Sequence, residues 1–245
     1  MGCKGVYWRQ AKEPAVTDQA FHIVFALFPN LTQLDFTGPH QVFTRMPGAR
    51  ITLASAAGGS VKTEGGMEFA SLHKLADIDS CDMICVPGGY GVTDAMADPE
   101  FIGQVTRLAK GAQYVTSVCN GSLALGACGL LKGRRAACHW AWRDMLGAFG
   151  AIADEARVVR DGNVITGGGV TAGIDFALKV VAEVAGADAA QSIQLILEYA
   201  PAPPFNAGRP DLAPAHILAQ VQANLEKTMP ARRAAALAVA EAMKT

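Results

Sequence analysis

The sequence predicts an α/β domain built on a mostly parallel sheet. Three observations carry this. Short, almost continuously apolar runs recur at 22–28, 51–54, 82–87, 114–118 and 164–166. Helical patterns fall between them, and glycine-bearing turns close several of the runs. Runs apolar on both faces belong to strands covered on both sides, and alternation with helices gives parallel pairing through crossovers. At 245 residues the chain is one large domain or one domain with appendages.

The elements follow in order. Residues 1–20 mix charges around Pro14 without periodicity and are expected to be an extension. The domain proper spans 21–200. After the first strand (22–28), Thr37-Gly38-Pro39 predicts a helix over 39–46, with proline at its start. Residues 58–70 (GGSVKTEGGMEFA) read as a hairpin. Residues 99–110 form a helix stopped at Gly111. Residues 121–130 are apolar nearly all round, which predicts a buried helix. Residues 140–149 and 171–185 read as amphipathic helices. Asp161-Gly162-Asn163 turns a second hairpin within 157–166. Residues 188–199 form a helix ending in APAPP. From 201 to 245 come a loop, a helix over 214–228, a break at Pro230 and an Ala-rich helix; this apolar tail is expected to pack on the domain or on a partner subunit.

Composition narrows the function classes. Hydrophobic residues are 51% and charged residues 18%, which argues for a packed core. Twenty-one basic residues oppose twenty-two acidic ones, so no basic footprint points to nucleic acid. No long uncharged apolar run predicts a membrane span, and no leader pattern precedes the domain, so a cytoplasmic protein is expected. The six cysteines lack a CxxC, and Cys81 and Cys85 have no second pair at zinc-site spacing, so no metal is expected.

Five features could carry chemistry. In YVTSVCNGSLALG (114–126) a strand ends at Val118 and a helix follows Cys119-Asn120-Gly121-Ser122. Such a strand–turn–helix is the setting of a nucleophile elbow, where N–H groups at the helix start favour a thiolate. A buried structural cysteine is the other reading. Asp35 stands between Leu34 and Phe36 before the Thr-Gly-Pro turn. It is either a helix cap or an acid whose proton affinity a dry pocket raises. CVPGGYGV (85–92) offers Gly88 and Gly89, either a plain turn or a nest of free N–H donors for negative charge. TGGGVTAG (166–173) brings the backbone of Gly168, Gly169 and Val170 to the same sheet edge. His139, beside Trp140, is either a partner for the cysteine or a packed core residue.

Taken together, these motifs resemble the DJ-1/PfpI superfamily, and within it the isocyanide hydratases. The likeness runs from about Phe21 to Pro214. It rests on QLDFTGPHQVF, VPGGYGV, YVTSVCNGSLALGACGLLKGRRA, HWAW, RVVRDGNVITGGGVTAGIDFAL and LEYAPAPPFNAGRPD. The resemblance implies a flavodoxin-like three-layer α/β sandwich and a homodimer. It implies Cys119 as nucleophile and Asp35 as acid/base. Gly88, Gly89, Asn120, Gly168, Gly169 and Val170 would line the site. The implied reaction is hydration of a small-molecule isocyanide to a formamide through a thioimidate, without a cofactor. One departure stands out: isocyanide hydratases usually carry Thr after the nucleophile, where this chain has Asn120.

Other readings stay open. Related domains form the sensing half of AraC-type regulators, but the 45 residues from Pro201 contain no basic recognition helix. A glyoxalase-like cysteine enzyme or an oxidation sensor at Cys119 fits the same residues. A peptidase would place His where Asn120 stands.

Overall fold

The computed structural model describes residues 20–244. The expectation for 1–20 therefore lies, apart from Ala20, outside the described residues. The chain opens with β1 (Phe21–Ala26), α1 (Gln33–Phe43) and β2 (Ala49–Ser55), then a hairpin of β3 (Gly59–Lys62) and β4 (Glu68–Lys74). Next come β5 (Met83–Val86), α2 (Val92–Ala97), α3 (Pro99–Gly111), β6 (Tyr114–Val118) and α4 (Gly121–Ala127). They are followed by β7 (Arg135–Ala137), a 3₁₀ segment (Arg143–Phe149), β8 (Ile152–Asp154), β9 (Val158–Asp161) and β10 (Val164–Gly167). Four helices end the chain: α5 (Ala172–Ala185), α6 (Ala187–Ile196), α7 (Ala215–Leu225) and α8 (Met229–Ala242).

Eight strands form one sheet in the order β3-β4-β2-β1-β5-β6-β10-β9. Pairing is parallel from β4 to β10, and the outermost strand at each edge is antiparallel. The predicted α/β class holds. Both expected hairpins form, and one strand of each belongs to the parallel ladder. Every residue of β5, β6 and β10 is buried, as their almost continuous apolarity predicts, and Thr116, Ser117 and Thr166 are buried with them. Helix α1 packs on α5 and α5 on α6; α3 and α4 pack on β5, with α2 against both. This is a three-layer sandwich. The crossover direction reverses between β1 and β5, which opens a crevice at the carboxyl ends of those strands.

Two helix expectations are corrected. The first helix begins at Gln33, not at residue 39, so Pro39 lies inside it and Asp35 falls in its first turn. Proline there forfeits one intrahelical bond. Its ring fills the space left by Gly173 of α5, where an added Cβ would stand 3.0 Å from Pro39 Cγ and Cδ. The amphipathic pattern at 140–149 forms a short 3₁₀ segment instead of an α-helix. It contains Gly147 and is closed by Gly150 at φ 73°. Helix α2 and the small parallel pair β7–β8 had no sequence signal. Among the described residues, no helix is long and apolar enough to cross a membrane.

The tail divides in two. Helix α8 packs on α2, α4 and the 3₁₀ segment, and buries Met229, Ala236 and Ala240. Arg233 holds it there: Nη1 and Nη2 each donate to an Asp144 carboxylate oxygen at 2.6 Å, and Nη2 also donates to Ala141 O at 3.0 Å. Helix α7 buries none of its residues. Replacing Arg233 by Ala is expected to speed amide exchange across Met229–Ala242 by about tenfold, with sheet protection unchanged. Hydrogen-exchange mass spectrometry reads both at once.

Candidate active site

Cys119 sits where β6 must turn directly into α4. Its φ is +60°, a left-handed conformation that costs a side-chain-bearing residue of order 1 kcal/mol. The turn is over-determined by its neighbours. Cys119 N–H donates to Gly167 O at 3.1 Å and to Gly168 O at 2.8 Å. Ser122 Oγ donates back to Cys119 O at 3.2 Å. A Cβ on Gly121 would lie 2.3 Å from Val86 O and 2.5 Å from Pro87 O, so only glycine admits this approach. The strained elbow foreseen from the sequence is present.

Asp35 enters from the first turn of α1 and is fully buried. Its Oδ2 accepts the Gly88 N–H at 3.0 Å. Its Oδ1 is buried without a hydrogen-bond partner. Burial raises the Asp35 pKa to about 7, while the Cys119 thiol and the Gly88 N–H pull it down and Glu64 pushes it up. Burial and the Asp35 charge likewise push the Cys119 thiol well above its ordinary range. The Asn120 N–H at the helix start acts in the other direction, as expected, but it is outweighed. The preference for a thiolate that the helix start provides is therefore outweighed by burial and by the Asp35 charge. While Asp35 is ionised, Cys119 stays a thiol, and the two groups titrate as one coupled pair.

The free-donor reading of Gly88 and Gly89 is also corrected. Gly88 N–H is taken by Asp35. Gly89 N–H donates to Asn120 Oδ1 at 2.8 Å, and Asn120 Nδ2 donates to Gly89 O at 3.2 Å. Tyr90 N–H and Gly91 N–H are taken by Glu64 Oε2 and Asn30 O, at 3.2 and 3.0 Å. The turn binds no charge of its own; it positions Asp35 and Asn120. A Cβ on Gly88 would strike Asn120 Oδ1 at 2.2 Å and Asp35 Oδ2 at 2.9 Å.

His139 stands elsewhere. Its Nδ1 accepts the Ala141 N–H at 3.2 Å, and its Cδ2 edge would lie 2.9 Å from a Cβ on Gly169. Burial and Arg143 lower its pKa. Among the described residues no hydrogen bond joins it to Cys119, so the structure supports a wall residue over a base paired with the thiol. That wall belongs to a cavity of about 380 Å³ lined by Cys138, His139, Trp140, Arg157 and the Gly168–Val170 backbone. Gly168, whose carbonyl receives the Cys119 N–H, belongs to this lining, while Cys119 and Asp35 do not. Among the described residues, no group of three or more His, Cys, Asp or Glu side chains is placed to hold a metal. Sequence reasoning missed Glu64. Its partners Thr32 and Tyr90 are 32 and 26 residues away, and no local spacing marks it.

Residues 22–183 match the DJ-1/PfpI family. The chain belongs to that family. It is 49% identical over 199 residues to an isonitrile hydratase of Pseudomonas putida, covering 81% of this chain and 87% of that protein. It is 28% identical over 171 residues to protein dj-1beta of Drosophila melanogaster, covering 68% and 91%. A crystal structure of a THiJ/PfpI family protein from Pseudomonas syringae superposes with a TM-score of 0.86 at 37% identity, covering 96% of this chain and 98% of that one. The family fold and the predicted sandwich agree.

The buried acid makes a pH prediction with a definite sign. In the unfolded chain Asp35 loses its proton near pH ~4; in the fold it does so at about 7. Between those values the folded state holds the extra proton, so stability falls as pH rises through the window and stays low above it. Asp35→Asn keeps an acceptor for Gly88 and removes the charge. It is expected to exceed the parent at about pH 8 by on the order of 2–4 kcal/mol, with the gap closing towards about pH 4. Urea unfolding at both pH values measures this.

Proposed function

We propose that this protein is an isocyanide hydratase-like lyase, adding water to an isocyanide to give an N-substituted formamide. The observation that carries the reading is the buried Cys119–Asp35 pair, a thiol beside a carboxyl whose pKa of about 7 suits proton transfer in both directions. The 49% identity to an isonitrile hydratase supports the same substrate class.

The chemistry follows from this geometry. Asp35 takes the thiol proton as the Cys119 sulfur bonds to the terminal isocyanide carbon, then delivers it to that carbon. The product is a thioimidate, with nitrogen now doubly bonded to a carbon that carries one hydrogen and the sulfur. Water then adds to this carbon, one of its protons passing through Asp35 to the nitrogen. Collapse of the adduct breaks the carbon–sulfur bond and returns the remaining hydroxyl proton to sulfur. One water is consumed, and both side chains end as they began. Splitting one hard addition into two steps is the gain of covalent catalysis. The unpartnered Oδ1 of Asp35 is the oxygen left free to handle these protons. The cavity beside Gly168–Val170, with Trp140 in its wall, would take the substituent on nitrogen. Gly88, Gly89 and Asn120 act by holding the acid and the elbow together.

A homodimer completes the reading. Leu195, Ile196 and Phe205 are 82%, 67% and 79% exposed, and Ile217 and Val221 of α7 add to the uncovered apolar surface. A second copy of the chain is the proposed cover. Sedimentation equilibrium at micromolar concentration is expected to give twice the chain mass; a monomer would remove this part of the reading.

The deciding assay is turnover of an aryl isocyanide, followed by formamide absorbance. Wild type is expected to turn over, Cys119→Ala to be inactive, and Asp35→Asn to lose at least ~100-fold in kcat while remaining folded. An inactive wild type would overturn the hydratase reading.

A further inference from the structure

Glu64 lies in the connection between β3 and β4, far in sequence from both members of the pair, yet the fold returns it to their supports. The hairpin is stitched to the loop after β1: Asn30 N–H donates to Lys62 O at 2.7 Å, and Glu64 N–H donates to Leu31 O at 3.1 Å. The Glu64 carboxylate then divides its oxygens. Thr32 Oγ1 donates to Oε1 at 2.8 Å, and Tyr90 N–H donates to Oε2 at 3.2 Å.

These two donors belong to the segments between which Asp35 is held. Thr32 is the N-cap of α1, and its carbonyl accepts the Asp35 N–H at 3.1 Å. Thr32 N–H donates to Gly88 O at 2.9 Å, while Gly88 N–H donates to Asp35 Oδ2 at 3.0 Å. Tyr90 follows Gly88-Gly89 directly. One carboxylate thus closes the ring α1 N-cap, Gly88–Tyr90 turn and hairpin. Thr32 has no cap bond to its own helix, because its hydroxyl is spent on Glu64.

We propose that Glu64 is a positioning residue for the Cys119–Asp35 pair, setting the register of Asp35 by bridging the start of α1 to the Gly88–Tyr90 turn. This rests on the assignment of that pair as the reacting groups. A second consequence is electrostatic. The charged and titratable groups facing Asp35 include Cys119 from the elbow, Cys85 of β5 and Glu64 from the hairpin. Around Glu64, the nearby cleft holds Asp94 of α2 and Arg232 of α8, whose guanidinium lies 4.0 Å from the Tyr90 ring centre. Among the described residues, Glu64 makes no salt bridge; its side chain is exposed, so its charge acts on the pair through solvent screening and its effect is modest.

The test compares Glu64→Gln, Glu64→Asp and Glu64→Ala with wild type. It uses two readouts: kcat and KM on an aryl isocyanide, and the rate of Cys119 alkylation by iodoacetamide against pH, located by mass spectrometry. Thermal melts confirm folding. Glu64→Ala is expected to lower kcat by about tenfold or more with KM held within about twofold. Glu64→Gln keeps the length but removes the charge, and is expected to move the alkylation midpoint down by about half a pH unit. Glu64→Asp keeps the charge, leaves that midpoint in place and recovers part of the kcat lost in Glu64→Ala.

An alanine variant with wild-type kcat and midpoint would overturn the proposal. So would a change in KM alone, which would make Glu64 a substrate contact. Were wild type inactive on isocyanides, the alkylation arm would still decide: a shifted midpoint in Glu64→Gln upholds the proposal while the hydratase reading fails, and an unshifted one overturns it.

Discussion

A thiol and a carboxyl buried together cannot both be charged at neutral pH. That constraint organises this molecule. Cys119 is 5% exposed and Asp35 not at all; burial raises the proton affinity of both, and the Asp35 charge raises that of Cys119 further, while the Cys119 thiol draws that of Asp35 back down. One charge in such a place is tolerable, while two would cost far more than the surrounding dipoles return. The pair therefore keeps a shared proton, and the surrounding structure holds the two groups close enough to exchange it. An isolated thiol in the same elbow would be an inert core residue. In the proposed mechanism, the carboxyl beside it would make a nucleophile available by proton transfer inside the pair.

The supports share one form: backbone groups are spent on side chains, and glycine lets them come close enough. Gly88 gives its N–H to Asp35, Gly89 gives its N–H to Asn120, and Gly121 allows α4 to begin against the carbonyls of Val86 and Pro87. A nest emptied in this way cannot also bind an oxyanion. In the proposed reaction, stabilisation of developing charge would then rest on protons delivered by Asp35. This suits an isocyanide, whose carbon and nitrogen both need a proton before the product forms, better than an acyl transfer, which needs a standing oxyanion hole.

The parallel strands, both hairpins and the elbow were legible because each follows from a local pattern. The near-continuous apolarity of 114–118 predicts a strand covered on both faces, and Cys119-Asn120-Gly121 leaves little choice of turn. The start of α1 was not legible. Pro39 reads as a helix beginning when judged on propensity, and only its packing into the hollow at Gly173 shows why it is accepted within the helix. The 3₁₀ segment at 143–149 has an amphipathic pattern, but Gly147 within it and Gly150 at its end prevail over it. At the site, Cys119 and Asp35 carried signals because each interrupts an apolar context beside a turn. Glu64 carried none: it is one acid in a polar hairpin, and its meaning lies in contacts with Thr32 and Tyr90, 32 and 26 residues away.

Asn120 shows how a departure from a family pattern can be read physically. Its side chain both accepts from and donates to the same glycine, Gly89, at 2.8 and 3.2 Å. A hydroxyl residue has a single polar atom on a shorter arm, and cannot reproduce a pair of bonds that uses separate donor and acceptor atoms. Asn120 therefore locks the elbow to the Gly88–Gly89 turn, and through Gly88 to Asp35. Removing one end of this clamp would leave the buried Gly89 N–H unpaired, at about 1–3 kcal/mol. The residue after the nucleophile acts here on the geometry of the pair, with its polar atoms already committed to the main chain. In the proposed reaction, discrimination among substrates would then fall to the separate wall formed by Trp140, His139 and the Gly168–Val170 backbone.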